Sequence, residues 1–218
     1  MRPHRLFAIL LPVGLWACGS TTTPFPNDCE SFLDATSSQS VTVTVRNDGP
    51  DAIYLLGTGC SATVDLELLD DAGDPLPLVA GSCTFSCEDL QETSAICDAA
   101  CAAPPAIMIA PGGSYALSWN GIYGEEAEMP DSCYADPQSA PDSCLQRIAA
   151  PAGNYGFSVT TATSITCADS TCTCTPDASG SCLIDFGFPD GETIPAGATF
   201  SYPDELEVTV VLGSGNGS

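Results

Sequence analysis

Val41, Val43 and Val45 alternate with Thr42, Thr44 and Arg46, giving one apolar and one wet face over residues 41–46, the period of a half-buried strand. Asn47-Asp48-Gly49-Pro50-Asp51 then reads as a turn, and residues 53–56 as a short buried strand. Val64, Leu66 and Leu68 alternate with Asp65, Glu67 and Leu69 ahead of a second acidic turn at 70–74, and residues 76–80 make a Pro-flanked edge strand. Further strands are predicted over 106–110, 115–119, 145–149, 155–163 and 206–212, with turns at 111–113 and 151–154 and long connections at 120–144 and 164–205. About nine short strands separated by polar turns predict a β-sandwich over residues 41–212, with Trp119 in its core and 213–218 as a frayed tail.

Pro111-Gly112-Gly113-Ser114-Tyr115 and Pro151-Ala152-Gly153-Asn154-Tyr155 both run from a turn into an aromatic strand start. These stretches resemble those of bacterial immunoglobulin-like domains. The expected fold class is therefore all-β: an immunoglobulin-like antiparallel β-sandwich with long disulfide-stapled loops. If successive strands reverse direction, turns 47–51, 70–74, 111–113 and 151–154 share one end. Connections 57–61, 81–105, 120–144 and 164–205 then share the other, together with every cysteine beyond Cys18. Long loops on a rigid scaffold are where binding residues concentrate, so that end is the expected binding head.

The start of the chain has a different pattern. Arg2 and Arg5 precede a nearly unbroken apolar run over 6–15, too short to span a bilayer and laid out like a secretory signal. Leu15-Trp16-Ala17-Cys18 resembles the end of a bacterial lipoprotein signal, with Trp16 bulkier than is usual there. The resemblance implies removal of 1–17, a lipidated Cys18 that anchors the protein to a membrane, and residues 18–40 as a Ser/Thr/Pro-rich tether pinned by Cys29. Gly19 is similar to the residue after the cysteine in lipoproteins sorted to the outer membrane, facing the periplasm or the exterior. An ordinary signal peptide, with Cys18 in a disulfide, is the alternative.

Cysteine usage fits that address. Of 13 cysteines, Cys18 aside, an even set remains: Cys29, Cys60, Cys83, Cys87, Cys97, Cys101, Cys133, Cys144, Cys167, Cys172, Cys174 and Cys182. In an oxidising compartment these read as a six-bridge framework whose pairing spacing does not settle. Cys83 with Cys87 and Cys97 with Cys101 stand at helical spacing, similar to disulfide-stapled helical hairpins of small secreted proteins; a thiolate metal site is the alternative. Cys133 and Cys144 are expected to close their own loop. The run of four from Cys167 to Cys182 resembles the second half of an epidermal-growth-factor module, but lacks the first half and reads as a local disulfide knot.

Charge narrows the chemistry. The formal net charge is −24, with four Lys+Arg, 28 Asp+Glu and one histidine. Beyond residue 17 the only bases are Arg46 and Arg147; there is no lysine, and His4 leaves with the signal. Such a chain has no histidine for a Ser-His-Asp or Cys-His mechanism, no lysine for a Schiff base and no basic footprint for nucleic acid. Carboxylates gather at Asp48, Asp51, Asp70, Asp71 and Asp74, where oxygen-rich turns would suit calcium, though none follows the calcium-loop pattern and solvated turns are the plainer reading. Glu125-Glu126-Ala127-Glu128 with Asp131 offers a carboxylate pair of the kind glycosidases use, or simply a solvated loop. The protein is similar to the cysteine-rich lipoproteins common in myxobacteria. The expectation is a non-catalytic binding or structural module that presents its stapled loops to a protein or glycan, without a cofactor. A calcium-dependent adhesion or envelope domain and a carboxylate-pair hydrolase are the alternatives.

Overall fold

The computed structural model describes residues 27–55, 64, 66–78, 84–94, 105–167 and 172–213. Among them run twelve strands: β1 (Val41–Asn47), β2 (Ile53–Leu55), β3 (Leu66–Leu69), β4 (Pro75–Leu76), β5 (Ala106–Ile109), β6 (Ser114–Trp119), β7 (Ile122–Ala127), β8 (Cys144–Ala149), β9 (Gly153–Cys167), β10 (Ser181–Ile184), β11 (Gly187–Tyr202) and β12 (Glu207–Leu212). One short helix, α1 (Cys87–Glu92), and two 3₁₀ segments, Asn27–Phe32 and Asp131–Cys133, complete the elements. Each of the nine expected strands has a counterpart; β7, β10 and β11 lie in the segments read as insertions.

The strands form an all-β sandwich. One sheet has the order β12-β1-β6, the other β10-β5-β2-β9-β3-β4, and β11 pairs along the opposite edge of β9. The first sheet is mixed, because β12 runs parallel to β1, from Thr42 opposite Glu207 to Asn47 opposite Leu212. The alternation in β1 buries Val41, Val43 and Val45 completely, facing Leu55, Leu68, Ile109, Phe157 and Val159 of the other sheet across one core. Trp119 sits in that core as expected, 4% exposed, with its ring centroid 5.4–6.1 Å from those of Tyr155, Phe157, Phe200 and Tyr202. Its indole N–H donates to the Ile122 carbonyl at 2.7 Å, so the buried polar edge is satisfied.

The two-ended arrangement expected from strand reversal does not occur. β2 lies against Thr161 and Ala162 of β9, and β3 against Gly156 to Val159 on the same edge. Both run antiparallel to β9, so β3 continues in the direction of β2 and the chain makes no net reversal between them. β4, antiparallel to β3, and β5, antiparallel to β2, likewise share one direction, so simple alternation fails twice. Turns 47–51 and 111–113 stay together: Asn47 N–H donates to the Gly113 carbonyl, and Gly112 N–H to the Asn47 carbonyl. Turns 70–74 and 151–154 sit at the opposite end, where they line one cleft of about 660 Å³. A disulfide-bonded cysteine, Cys182, lies in β10 beside the 111–113 turn, because Gly180 packs against Gly113. Cystines are therefore not segregated from the tight turns.

Residues 27–40, expected as tether, pack on the fold. Gln146 Nε2 donates to the Ser31 and Leu33 carbonyls at 2.9 and 3.1 Å, and Ala35 N–H donates to the Arg147 carbonyl at 2.8 Å. Ser38 and Gln39 both hydrogen-bond the Tyr202 hydroxyl. The fold's contacts thus begin well before residue 41.

Candidate functional site

A two-stranded ribbon leaves the sandwich where Gly121 meets Ala150. Ala150 N–H donates to the Gly121 carbonyl at 2.8 Å. Gly121 has φ +73°, and a Cβ there would fall 2.6 Å from both the Gln39 carbonyl oxygen and the Tyr202 hydroxyl, so glycine is required at the root. From this root β7 and β8 pair from Ile122 opposite Ala149 out to Ala127 opposite Cys144.

The tip of the ribbon carries a core of its own. Cys29, Cys87, Leu90, Met129, Cys133, Tyr134 and Cys144 are buried together, with Phe32 and Phe85 packed against them. Disulfides Cys29–Cys133 and Cys87–Cys144 tie the first 3₁₀ segment and α1 to the ribbon. A helix as short as α1 is not stable alone. It is held by the Cys87–Cys144 bond and by a capping box: Asp89 N–H donates to Ser86 Oγ at 3.1 Å, and Ser86 N–H donates to Asp89 Oδ2 at 2.9 Å. Gln91 Nε2 reaches the Cys29 carbonyl at 3.2 Å, joining the two helical pieces.

One cation organises the charges of this head. Arg147 donates through Nη1 to Asp34 Oδ2 at 3.2 Å and through Nη2 to Asp89 Oδ2 at 3.1 Å, while its backbone N–H donates to Asp34 Oδ1 at 3.0 Å. Asp34 is almost buried, with 8% of its side chain exposed, so the fork neutralises a carboxylate that water reaches poorly. Asp34 N–H donates to Glu88 Oε2 at 2.8 Å. The network links residue 34, the first turn of α1 and β8. Tyr134 donates to the Pro141 carbonyl at 3.3 Å; burial first, then the nearby Asp131 and Asp142, push its phenol above the ordinary value.

Beside this core lies a cleft of about 490 Å³. Phe85, Leu90, Pro141 and Leu145 form its apolar wall, and Glu126 stands at its rim, accepting a hydrogen bond from Ser143 Oγ at 2.6 Å. An apolar wall with one carboxylate–hydroxyl pair suits a ligand that offers an apolar face beside hydrogen-bonding groups. Glu125 and Glu126 are consecutive on β7 and project to opposite faces, so they do not form a facing carboxylate pair.

The expected disulfide set is met in part and re-paired. Cys133 and Cys144 do not close a common loop: they bond Cys29 and Cys87, because the ribbon tip gathers segments distant in sequence. That bond also removes Cys87 from the double-stapled helical hairpin expected between the 83/87 and 97/101 pairs; α1 starts at Cys87 and extends forward from it. Cys167–Cys172 and Cys174–Cys182 are two successive local loops rather than an interlaced knot. Cys18, Cys60, Cys83, Cys97 and Cys101 lie outside the described residues.

The five aspartates expected at one end are divided between the two. Asp48 pairs with Arg46, with Nε 2.8 Å from Oδ1; that charged hydrogen bond holds the carboxylate below its ordinary value. Asp51 follows in the same turn, where its carbonyl accepts from Asn47 Nδ2. Asp70, Asp71 and Asp74 occupy the opposite end, where Asp70 Oδ1 accepts the amides of Ala72 and Asp74, both at 2.9 Å. Among the described residues no group of three or more His, Cys, Asp or Glu is placed to hold a metal ion. The cleft residues Phe85, Leu90, Pro141 and Leu145 were not singled out by sequence. They come from separate segments with no shared period, brought together by the Cys87–Cys144 disulfide, the Arg147–Asp89 ion pair and the bridge between Ser86 and Leu145.

The arrangement defines a disulfide-rich, all-β protein with a ribbon-borne accessory head. No protein-family model, curated protein or solved structure matches the chain. Among the described residues no helix is long and apolar enough to cross a membrane.

Proposed function

We propose that this protein is a lipid-anchored, extracytoplasmic binding module, without catalytic activity, whose ribbon-borne head engages a protein or glycan of the cell envelope. One observation carries the reading: a second disulfide-bonded core, separate from that of the sandwich, exposes an apolar cleft with Glu126 and Ser143 at its rim. Folding the sandwich does not require such a structure, whereas a preformed cleft lowers the ordering cost of binding. Disulfides in the chain support an oxidising compartment. The lipoprotein-like Cys18 supplies the anchor, with outer-membrane placement following from Gly19. The immunoglobulin-like reading is supported by the parallel pairing of the first and last strands and by the Tyr155 hydroxyl, which donates back to the Pro151 carbonyl at 3.0 Å.

The test is an array of cell-envelope glycans and peptidoglycan fragments, together with chemical cross-linking on intact cells, for the native chain and for Leu145→Ser and Glu126→Gln. A ligand retained under chelation and lost in both variants, with circular dichroism and disulfide content unchanged, is the expected result. Equal capture by all three proteins would remove the head from the function. Intact mass of membrane-extracted protein tests the anchor: acylation at Cys18 is expected, and an unmodified amino terminus overturns it.

A further inference from the structure

Five large apolar side chains are exposed among the described residues, and three fall within one short stretch: Leu183 at 56%, Phe186 at 60% and Phe188 at 52%. Phe186 occupies the two-residue turn between β10 and β11 at φ +55°, and it is the one non-glycine residue with positive φ among the described residues. That region is disfavoured for an aromatic residue and readily taken by glycine or asparagine. Its side chain recovers little of that strain by burial. Local backbone strain held in place by its surroundings marks sites kept for something other than stability.

The surroundings hold this turn firmly. Ile184 before it is 3% exposed, and Gly187 after it packs so closely that a Cβ would fall 2.5 Å from Ile165 Cδ1 and 3.0 Å from Ile184 Cγ2. Gly187 pairs with Cys167, bonded to Cys172, and β10 contains Cys182, bonded to Cys174. The turn is thus fixed at both ends and presents its ring without a large ordering cost. Charge indicates what it meets. Asp185 is exposed within the turn itself, Asp190 and Glu192 are exposed further along β11, and the two arginines of the described residues are engaged elsewhere, with Asp48 and with Asp34 and Asp89.

We infer that the Asp185-Phe186 turn is a second interaction surface, an aromatic anchor for a partner protein that offers an apolar pocket rimmed by basic residues. Rigid exposed aromatics are the side chains that dominate interface energy, and an acidic rim selects a basic counterpart while disfavouring anionic membranes. This surface is distinct from the head cleft and stands or falls without it.

The test uses the oxidised full-length chain and a fluorescent amphipathic peptide of leucine and arginine, read by anisotropy at 150 mM salt. Phe186→Asn and Phe188→Ser keep the net charge, and asparagine suits the backbone of the turn. The inference expects the peptide to bind the native chain at least tenfold more tightly than either variant, a matching leucine–glutamate peptide not to bind, and Phe186→Asn to melt no lower than the native protein. Equal binding to native and variant chains would reduce the effect to net charge, and absent binding would overturn the inference outright. A marked fall in melting temperature of Phe186→Asn would make Phe186 a packing residue. Retention on neutral phosphatidylcholine vesicles, lost in the variants, would reassign the surface to lipid.

Discussion

Asn47 ends the alternation of β1 on the buried side with a polar group, and its side chain answers that burial in full. Nδ2 donates to the Asp51 carbonyl at 2.8 Å and to the Ile109 carbonyl at 3.0 Å, and Oδ1 accepts the Gly49 amide at 3.0 Å. Asn47→Ala removes three partners at once and leaves the Ile109 carbonyl buried, so a loss of about 1–3 kcal/mol is expected in urea unfolding. Two carboxylates add a pH dependence at the same end. Asp48 is held below its ordinary value chiefly by the hydrogen bond from Arg46, and Asp177 by the Ser179 hydroxyl and then by the Ser179 and Ser181 amides. Their folded values lie below the unfolded ones. The stability they add is therefore complete above the unfolded carboxylate range near pH 4 and is lost as pH falls through the depressed folded values. The melting temperature of the native protein relative to Asp177→Asn should be flat from pH 7 to 5 and fall below about pH 4, because the asparagine has no proton to gain while charge relief on the rest of the surface is common to both.

At the scale of elements, the cystines divide by what they join. Cys29–Cys133 closes a sequence separation of 104 and Cys167–Cys172 one of 5. Loop-closure entropy predicts that replacing the first pair by serine costs on the order of 4–5 kcal/mol and the second roughly 2 kcal/mol. Hydrogen exchange should locate the first loss in residues 27–36 and α1, leaving β1 and β12 protected. The same contrast explains what the sequence disclosed. β1 and β12 were legible because Val41, Val43, Val45, Val208 and Val210 keep the two-residue period, and Trp119 because a large aromatic at the end of a strand seeks the core. β11 was not: Pro189, Gly191, Pro195 and Gly197 break every pattern in it, and its pairing with β9, bulged between Asp190 and Thr193, imposes the strand from outside. The head stayed hidden for a related reason. Its cleft depends on which cysteines pair across long separations, and spacing alone does not settle that. The aspartates misled because their grouping assumed a reversal between β2 and β3 that the shared edge of β9 removes.

For the whole molecule, electrostatics is dominated by self-repulsion. A formal charge of −24 is spread over a surface whose two described arginines are already paired, so few favourable charge contacts offset the crowding. Unfolding moves the carboxylates apart, and at low ionic strength that relief favours the unfolded chain. Salt shortens the range of repulsion from about 30 Å at 0.01 M to about 8 Å at 0.15 M. Melting temperature should therefore climb steeply over that interval and level off above it, the reverse of a protein stabilised by surface ion pairs. Cation identity separates screening from a site. Asp70 Oδ1 is already committed to the Ala72 and Asp74 amides, and Asp48 to Arg46, and among the described residues neither end holds a preformed oxygen cage. Magnesium and calcium at matched ionic strength should thus raise the melting temperature equally, and Asp70→Asn with Asp71→Asn should leave the two curves superimposed. A calcium-specific increment abolished by that pair of substitutions would show instead that the end formed by turns 70–74 and 151–154 assembles a cation site when the ion arrives.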